Sequence, residues 1–358
     1  MELNNYKLLY IARYNNLSGV ALKIQGFCSG AKRNGFEVDI VNFESLKKTK
    51  KIILETDARY VIIRSLARNN VNLLFSIIIA RFQGKRFVID VPAPFYVYLK
   101  EVNMQNRSKI RKISKQILTF LNGPWSLWPF HRIIEYAEES PFFMLGNRNR
   151  TVLVGNGIDP YRLFLRRKRY PDAGKTIRLI AVANTISGWH GFDRIVRAMV
   201  EWKRRNSHPR LFFDVVGNDN TPYAKEMQLI AQEGGVVNDI HFHGFLSSEQ
   251  LRDLYDEESL AVGSLGLYRN GLNTSSVLKV REYCLAGIPF IASGVDPDFP
   301  DNLPFRFVVS NDNEIDDILN VFSIFPQKRK TFTDEEIRQY AIDHLSYDSK
   351  FREMIDGL

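Results

Sequence analysis

The feature that most constrains this chain is a rhythm of short apolar runs alternating with helical patterns, and the rhythm occurs twice. The first series opens with KLLYIA (7–12), a polar turn RYNNLSG (13–19) and a helical stretch VALKIQGFCSGAKRNG (20–35), followed by FEVDIVNF (36–43). Gly35 stands where such a helix needs its stop. YVIIRS (60–65) and RFVIDVP (86–92) continue the series, with helices between them. The second series starts at TIRLIAVAN (176–184) and runs through GFDRIVRAMVEWKRRN, RLFFDVVGN, AKEMQLIAQEG, DIHFHGF, SSEQLRDLYDEE and SLAVGSLG to IPFIAS (288–293). Strands that are apolar throughout must be covered on both faces, and intervening helices supply that cover. Two parallel, doubly wound α/β sheets are expected, each with its ligand site at the carboxyl ends of the strands.

At 358 residues the chain exceeds the usual size of a single core. The basic, aromatic segment PYRLFLRRKRYPDAGK (160–175) reads as a linker, placing a first domain at 1–170 and a second at 171–336. The last helical stretch, about 337–358, has no strand after it and is expected to cross back onto the first domain. Cys28 and Cys284 lie far apart on helical segments, which suits buried thiols in a reducing compartment. The opening residues lack a secretory leader's cationic start and cleavage site, and no stretch reaches the roughly 18 apolar residues that a bilayer span needs. A cytoplasmic location is expected.

The formal charge of +9 suggests a polyanionic partner. Cation-rich segments at 106–116 and 148–169 carry no nucleic-acid-binding pattern, so phosphorylated substrates and anionic membranes are favoured over nucleic acid. In NRSKIRKISKQILTFLNGPWSLWPF (106–130), Ile110, Ile113, Ile117 and Leu121 share one helical face. Arg107, Lys109, Arg111, Lys112 and Lys115 take the flanks and opposite side, and Trp125, Trp128 and Phe130 follow. Two readings stand: a core-packing helix with solvated cations, or an interfacial helix holding the protein on the inner face of a membrane.

The densest chemistry is in LNTSSVLKVREYCLAGIPFIAS (272–293). A helix beginning here directs free N–H groups and the positive end of its dipole toward a ligand, which suits a diphosphate. Thr274, Ser275 and Ser276 are expected to cap it and to let an anion approach the backbone. Lys279 and Arg281 add charge, and Glu282 is placed to accept both hydroxyls of a ribose. Gly287 and Pro289 end the helix. The plain alternatives are a solvated carboxylate at Glu282, surface charge at Lys279, a loop ion pair at Arg269 and a helix cap at His190. His241 and His243 alternate on one strand without a third metal ligand, and DPDFPD (296–301) suits a turn better than a metal site, so no metal or other cofactor is expected.

The segment 263–293 resembles the retaining GT-B glycosyltransferases of family 4, particularly bacterial members that build surface polysaccharides. SGWHGFDRIVRAM (187–199), VGNGIDPYRLF (154–164) and NNLSG (15–19) recur in the family's order. The resemblance implies two Rossmann-like domains facing across a cleft, a nucleotide-sugar donor on the second domain and a glycan or lipid-linked acceptor on the first. Of the family's paired glutamates, the second matches Glu282 and the first falls on Thr274. Positions of the family's diphosphate-gripping Arg and Lys fall near Asn184 and His190, leaving Lys279 and Arg269 to supply catalytic charge. Gly19 matches the glycine that approaches the donor phosphate, and Asp90 and Arg64 end strands where an acceptor would bind. The competing reading is a GT-B pseudoenzyme that partners another transferase; a GT-B epimerase would need acid and base carboxylates that the sequence does not display.

Overall fold

The computed structural model describes residues 6–14, 19–66, 70–104, 108–121, 123–161, 174–356 and 358. The chain forms two compact units, Met1–Asp159 with Ser346–Leu358, and Pro160–Leu345. They divide between Asp159 and Pro160; the boundary expected near residue 170 lies outside the described residues.

In the first unit, β1 (Tyr6–Ala12), α1 (Gly19–Arg33), β2 (Phe36–Asn42), α2 (Leu46–Glu55), β3 (Tyr60–Arg64), α3 (Asn70–Phe82), β4 (Arg86–Val91), α4 (Phe95–Met104), α5 (Lys109–Leu121), β5 (Arg132–Glu135) and β6 (Thr151–Leu153) follow in order. The strands make one parallel sheet ordered β2-β1-β3-β4-β5-β6. Period-two alternation sorts their side chains: Leu9, Ile11, Val61, Ile63, Ile89 and Ile133 enter the core under α2 and α3, while Leu8, Tyr10, Ile62, Val88 and Ile134 enter the core under α1.

The second unit contains β7 (Thr176–Thr185), α6 (Phe192–Arg204), β8 (Arg210–Asn218), α7 (Pro222–Glu233), β9 (Ile240–Gly244), α8 (Ser248–Tyr255), β10 (Leu260–Val262), α9 (Leu278–Ala286), β11 (Phe290–Ser293), β12 (Arg306–Val309), α10 (Asp316–Lys328) and α11 (Asp334–Leu345). Its parallel sheet is ordered β12-β11-β10-β7-β8-β9. The strand order reverses between β7 and β10, and a doubly wound sheet binds ligands beyond the strand ends at that point. The loop after β7, the loop after β10 and the start of α9 all meet there.

Of the terminal stretch, α11 stays with the second unit, where Arg338 Nε donates to the Leu285 carbonyl of α9 at 3.1 Å. The last helix, α12 (Tyr347–Ile355), lies on α1. Phe351 meets Phe27 and Phe36 with ring centroids 5.3 and 4.9 Å apart, and Arg33 binds Asp348 at 2.7 Å. Two glycines of α1 permit this: a Cβ on Gly30 would come within 2.6 Å of the Tyr347 carbonyl oxygen, and one on Gly26 would collide with the Tyr347 ring. Gly30→Ala is therefore expected to destabilise the first unit by about 1–3 kcal/mol through overpacking, more than the helix propensity it gains. Thermal melts of the two proteins check this; an unchanged melting temperature counts against close α1–α12 packing.

Candidate functional site

The loop following β7 ends in a 3-10 turn, Gly188–His190, closed by Gly191. Gly191 has φ 68°, in the left-handed region, and a Cβ there would lie 2.4 Å from the Leu265 carbonyl carbon. Gly266 is under the same pressure, since a Cβ on it would meet the Gly188 carbonyl oxygen at 2.5 Å. The loops after β7 and β10 thus touch backbone to backbone, with Leu265 N–H donating to the His190 carbonyl at 2.8 Å.

His190 is buried, and its Nδ1 accepts from Ser187 N–H at 3.2 Å. Burial, then the nearby Lys279 charge, pushes its pKa down to about 2, so the ring is neutral. With Nδ1 accepting, the proton is assigned to Nε2. Asn184 is exposed near the end of β7.

Lys279 stands in the first turn of α9, and its ammonium nitrogen is buried without a hydrogen-bond partner, 4.4 Å from the centroid of the Phe192 ring. Desolvation brings its pKa down to about 7. Glu282, one turn on, is pushed up to about 7 by burial. A cation with a buried nitrogen and a half-buried carboxylate share this helix, and desolvation shifts both toward their neutral forms, a pattern that marks functional sites.

Other expected residues take different places. α9 begins at Leu278 with Val277 as its N-cap and no side-chain cap, so Thr274, Ser275 and Ser276 lie ahead of the helix instead of capping it. Thr274 pairs with Val295 in an isolated β-bridge, and its hydroxyl is buried without a partner; Ser275 N–H donates to Val295 O at 3.0 Å. The chain stays extended here because loop 294–295 claims these backbone groups. Arg281 is fully buried and satisfied by Asp296, at 2.7 Å from Nη2 to Oδ1, and by Asp298, while Asp301 binds Arg306 at 2.8 Å. The acidic run 296–301 thus neutralises arginines.

Arg269, expected to face departing charge, is committed elsewhere. It makes a two-pronged pair with Asp193, Nη1–Oδ1 2.9 Å and Nη2–Oδ2 2.8 Å, and donates to Gly188 O at 2.9 Å and to the Tyr223 and Tyr268 hydroxyls at 3.1 and 3.0 Å. Burial alone would raise the Asp193 carboxyl, but hydrogen bonds from Arg269 and Tyr223 outweigh it and hold its pKa below the usual range. Arg269 therefore fastens the 267–270 turn to α6. Sequence reading missed Asp193 as its anchor; a carboxylate two residues after the Gly191 stop, at a helix start, was the available signal.

In the first unit, Asp90 is fully buried and accepts from Tyr10 Oη and Arg64 Nη1, both at 2.7 Å, while its Oδ1 has no partner. Burial works to raise its pKa, and Arg64 and Lys23 more than reverse this. Asp90 therefore has no surface for an acceptor; it aligns Arg64, which keeps some exposure at the end of β3. Gly19 is the first residue of α1, and the turn at 15–18 before it lies outside the described residues. Glu135, a buried carboxyl at the end of β5 raised to about 8 by burial and then by Glu139, was also missed. His243 bonds Asp214 at 2.6 Å, with its ring 6.4 Å from that of His241, and the described residues hold no cluster of three metal-type ligands. Both cysteines are free and buried.

The two α9 groups set a pH dependence of stability. Between its ordinary 4.5 and about 7, the Glu282 position holds more proton folded than unfolded, so its contribution to stability falls as pH rises. Between about 7 and the ordinary 10.5, Lys279 holds more proton unfolded than folded, so its contribution grows as pH rises. Together they make the joint contribution of these two groups to ligand-free stability lowest near neutrality. Denaturant titrations across pH are expected to show Glu282→Gln gaining most over wild type above pH 7 and Lys279→Met gaining most below it; gains independent of pH would contradict both shifts.

Residues 166–299, most of the second unit, match the family described as glycosyl transferases group 1. No curated protein matches the chain in sequence. Among solved structures, a glycosyltransferase from Rickettsia africae is 14% identical, with 99% of this chain and 100% of that one covered at a TM-score of 0.64. HepE of Anabaena, solved in complex with UDP, is 13% identical, with 97% and 98% covered at 0.66. The lipopolysaccharide outer core galactosyltransferase WaaB is 11% identical, with 98% and 99% covered at 0.62. The expected fold class is the one found, two parallel six-stranded sheets flanked by helices as in these GT-B glycosyltransferases. The chain carries a glycosyl transferases group 1 domain on a GT-B fold.

Proposed function

We propose that this protein is a retaining glycosyltransferase of family 4 that moves a sugar from a nucleoside diphosphate to a hydroxyl of a lipid-linked glycan during bacterial surface-polysaccharide synthesis, on the cytoplasmic side of a membrane. One observation carries the reading: the buried, unpartnered ammonium of Lys279 at the switch point of the second sheet. A desolvated cation is costly until an anion joins it, and a diphosphate at the uncapped start of α9 meets both the Lys279 side chain and the leading N–H groups of Leu278 and Lys279. That Anabaena HepE was solved with UDP and that WaaB is a galactosyltransferase of lipopolysaccharide support the donor and acceptor classes.

Glu282 accepts the ribose hydroxyls in this scheme. As the glycosidic bond breaks, negative charge gathers on the diphosphate, where Lys279, the α9 amides and the Nε2–H of neutral His190 stabilise it without a metal ion. The leaving diphosphate takes the acceptor proton. Ser275, Ser276 and Asn184 line the donor side, and Arg269 positions the 267–270 turn. Arg64, aligned by Asp90, contacts the acceptor. The pseudoenzyme reading draws on Thr274, which places a buried hydroxyl where relatives have a donor-binding carboxylate. Donor turnover measured across a nucleotide-sugar panel tests the proposal, and binding without turnover for every donor and acceptor tried favours the pseudoenzyme.

Two substitutions separate the roles. Glu282→Ala is expected to weaken nucleotide-sugar affinity by about 1.5–3 kcal/mol for each ribose bond lost, and calorimetry showing full affinity in the folded variant removes the ribose role. Lys279→Ala is expected to lower kcat more than donor affinity, because charge on the phosphates grows toward the transition state. A raised KM at unchanged kcat would make Lys279 a binding group alone.

A further inference from the structure

Helix α5 is packed the reverse of an ordinary amphipathic helix. Its inward side is formed by Lys112, Lys115, Gln116 and Thr119, whereas Ile110, Ile113, Ile117 and Phe120 stand outward, 80, 47, 53 and 46% exposed. The core-packing reading fails for Ile110, Ile113 and Ile117, which stand outward; the side chain of Leu121, the fourth residue of the expected stripe, and Arg107 lie outside the described residues. Helix α3 adds a second stripe that periodicity alone did not single out. Leu73, Ile77 and Ala80 face the core, while Val71, Phe75, Ile78 and Phe82, at helical spacing, are 36, 75, 43 and 89% exposed.

The chain between these helices joins the two stripes. Arg81, at the end of α3, donates to the Pro129 carbonyl at 2.6 Å, and the Trp128 indole reaches the Leu145 carbonyl at 3.4 Å. Phe142 in turn meets Phe120 of α5 with ring centroids 5.6 Å apart. Trp128, Leu145 and Phe142 are themselves 52, 63 and 45% exposed. A run of exposed apolar side chains therefore extends from α3 through these residues to α5.

We propose that this run is one membrane-embedding face, with α3 entering the acyl boundary and the exposed cations Lys109, Arg111 and Arg148 meeting anionic headgroups. Charge complementarity favours lipid as the occupant: the outward stripe of α3 is uncharged, tryptophan lies at the junction, and the exposed cations border α5 and the 142–148 segment. The inference deepens the lipid-linked-acceptor reading and rests on it for its purpose, but its geometry belongs to the first unit alone.

The test is co-sedimentation of the full chain with phosphatidylcholine vesicles, with and without roughly a third phosphatidylglycerol, at low and high salt. Wild type is expected to bind the anionic vesicles and to keep part of that binding at high salt. Phe75→Ser with Phe82→Ser should reduce the salt-resistant part by roughly tenfold or more, and Lys109→Gln with Arg111→Gln should reduce the low-salt part. Nucleotide affinity, measured on the same samples, should be unchanged, which confirms folding and reports on the donor site separately. The proposal is overturned if wild type ignores anionic vesicles or if the phenylalanine variant binds them as wild type does. It is equally overturned if wild type is a dimer that this variant converts to monomer, which would make the face a protein interface.

Discussion

The second unit is organised around the place where β7 and β10 part. Their ladder runs through Leu260↔Leu179 and Ala261↔Ile180. Beyond it, the Tyr283 hydroxyl takes over, accepting from Val182 N–H at 2.9 Å and donating to Val262 C=O at 3.4 Å. Without the phenol, two buried backbone groups would lose partners at the point where the chains diverge. Tyr283 is also a core residue of α9, so the bond that closes the sheet fixes the height and rotation of the helix carrying Lys279 and Glu282. Gly191 and Gly266 bring the loops after the same two strands together, which places His190 beside Lys279.

Around this point the unit treats buried charge in two ways. Arg194, fully buried, donates to the carbonyls of Leu265, Ser310 and Glu314, at 2.8 and 2.9 Å for the first two, and Arg281 is met by two aspartates. Both behave as buried cations must in a stable fold. Lys279 has only an aromatic face, and Glu282 has only desolvation acting on it. Since the neighbouring arginines are satisfied so fully, the uncompensated pair is a local exception and not a loosely packed region. Such exceptions are where a ligand completes the electrostatics.

The elements and the two sheets were legible because periodicity and helix stops are local signals. Lys279 and Glu282 were legible because their chemistry is unusual for an inward helix. What sequence did not disclose were partners distant along the chain. Arg269 looked free because Asp193, which claims it, lies 76 residues away, and Asp90 looked like a contact because Tyr10 and Arg64, which enclose it, come from other strands. The expected caps at Thr274 to Ser276 failed for the same reason, a competing backbone pairing with Val295.

Periodicity also says which residues share a helical face but not which way that face points, and α5 is the case in hand. Its inward polar side is tolerated because Thr119 returns its hydroxyl to the Lys115 carbonyl at 2.8 Å and long lysine stems can lie along a surface while their charges seek water. For α3 the argument runs the other way: with apolar residues on the core side and the outer side alike, the helix has the pattern of one covered all round. Core packing accounts for Leu73 and Ile77 but leaves Phe75 and Phe82 largely exposed. Their presence fits an apolar medium in place of water, which is what the proposed membrane-embedding face supplies.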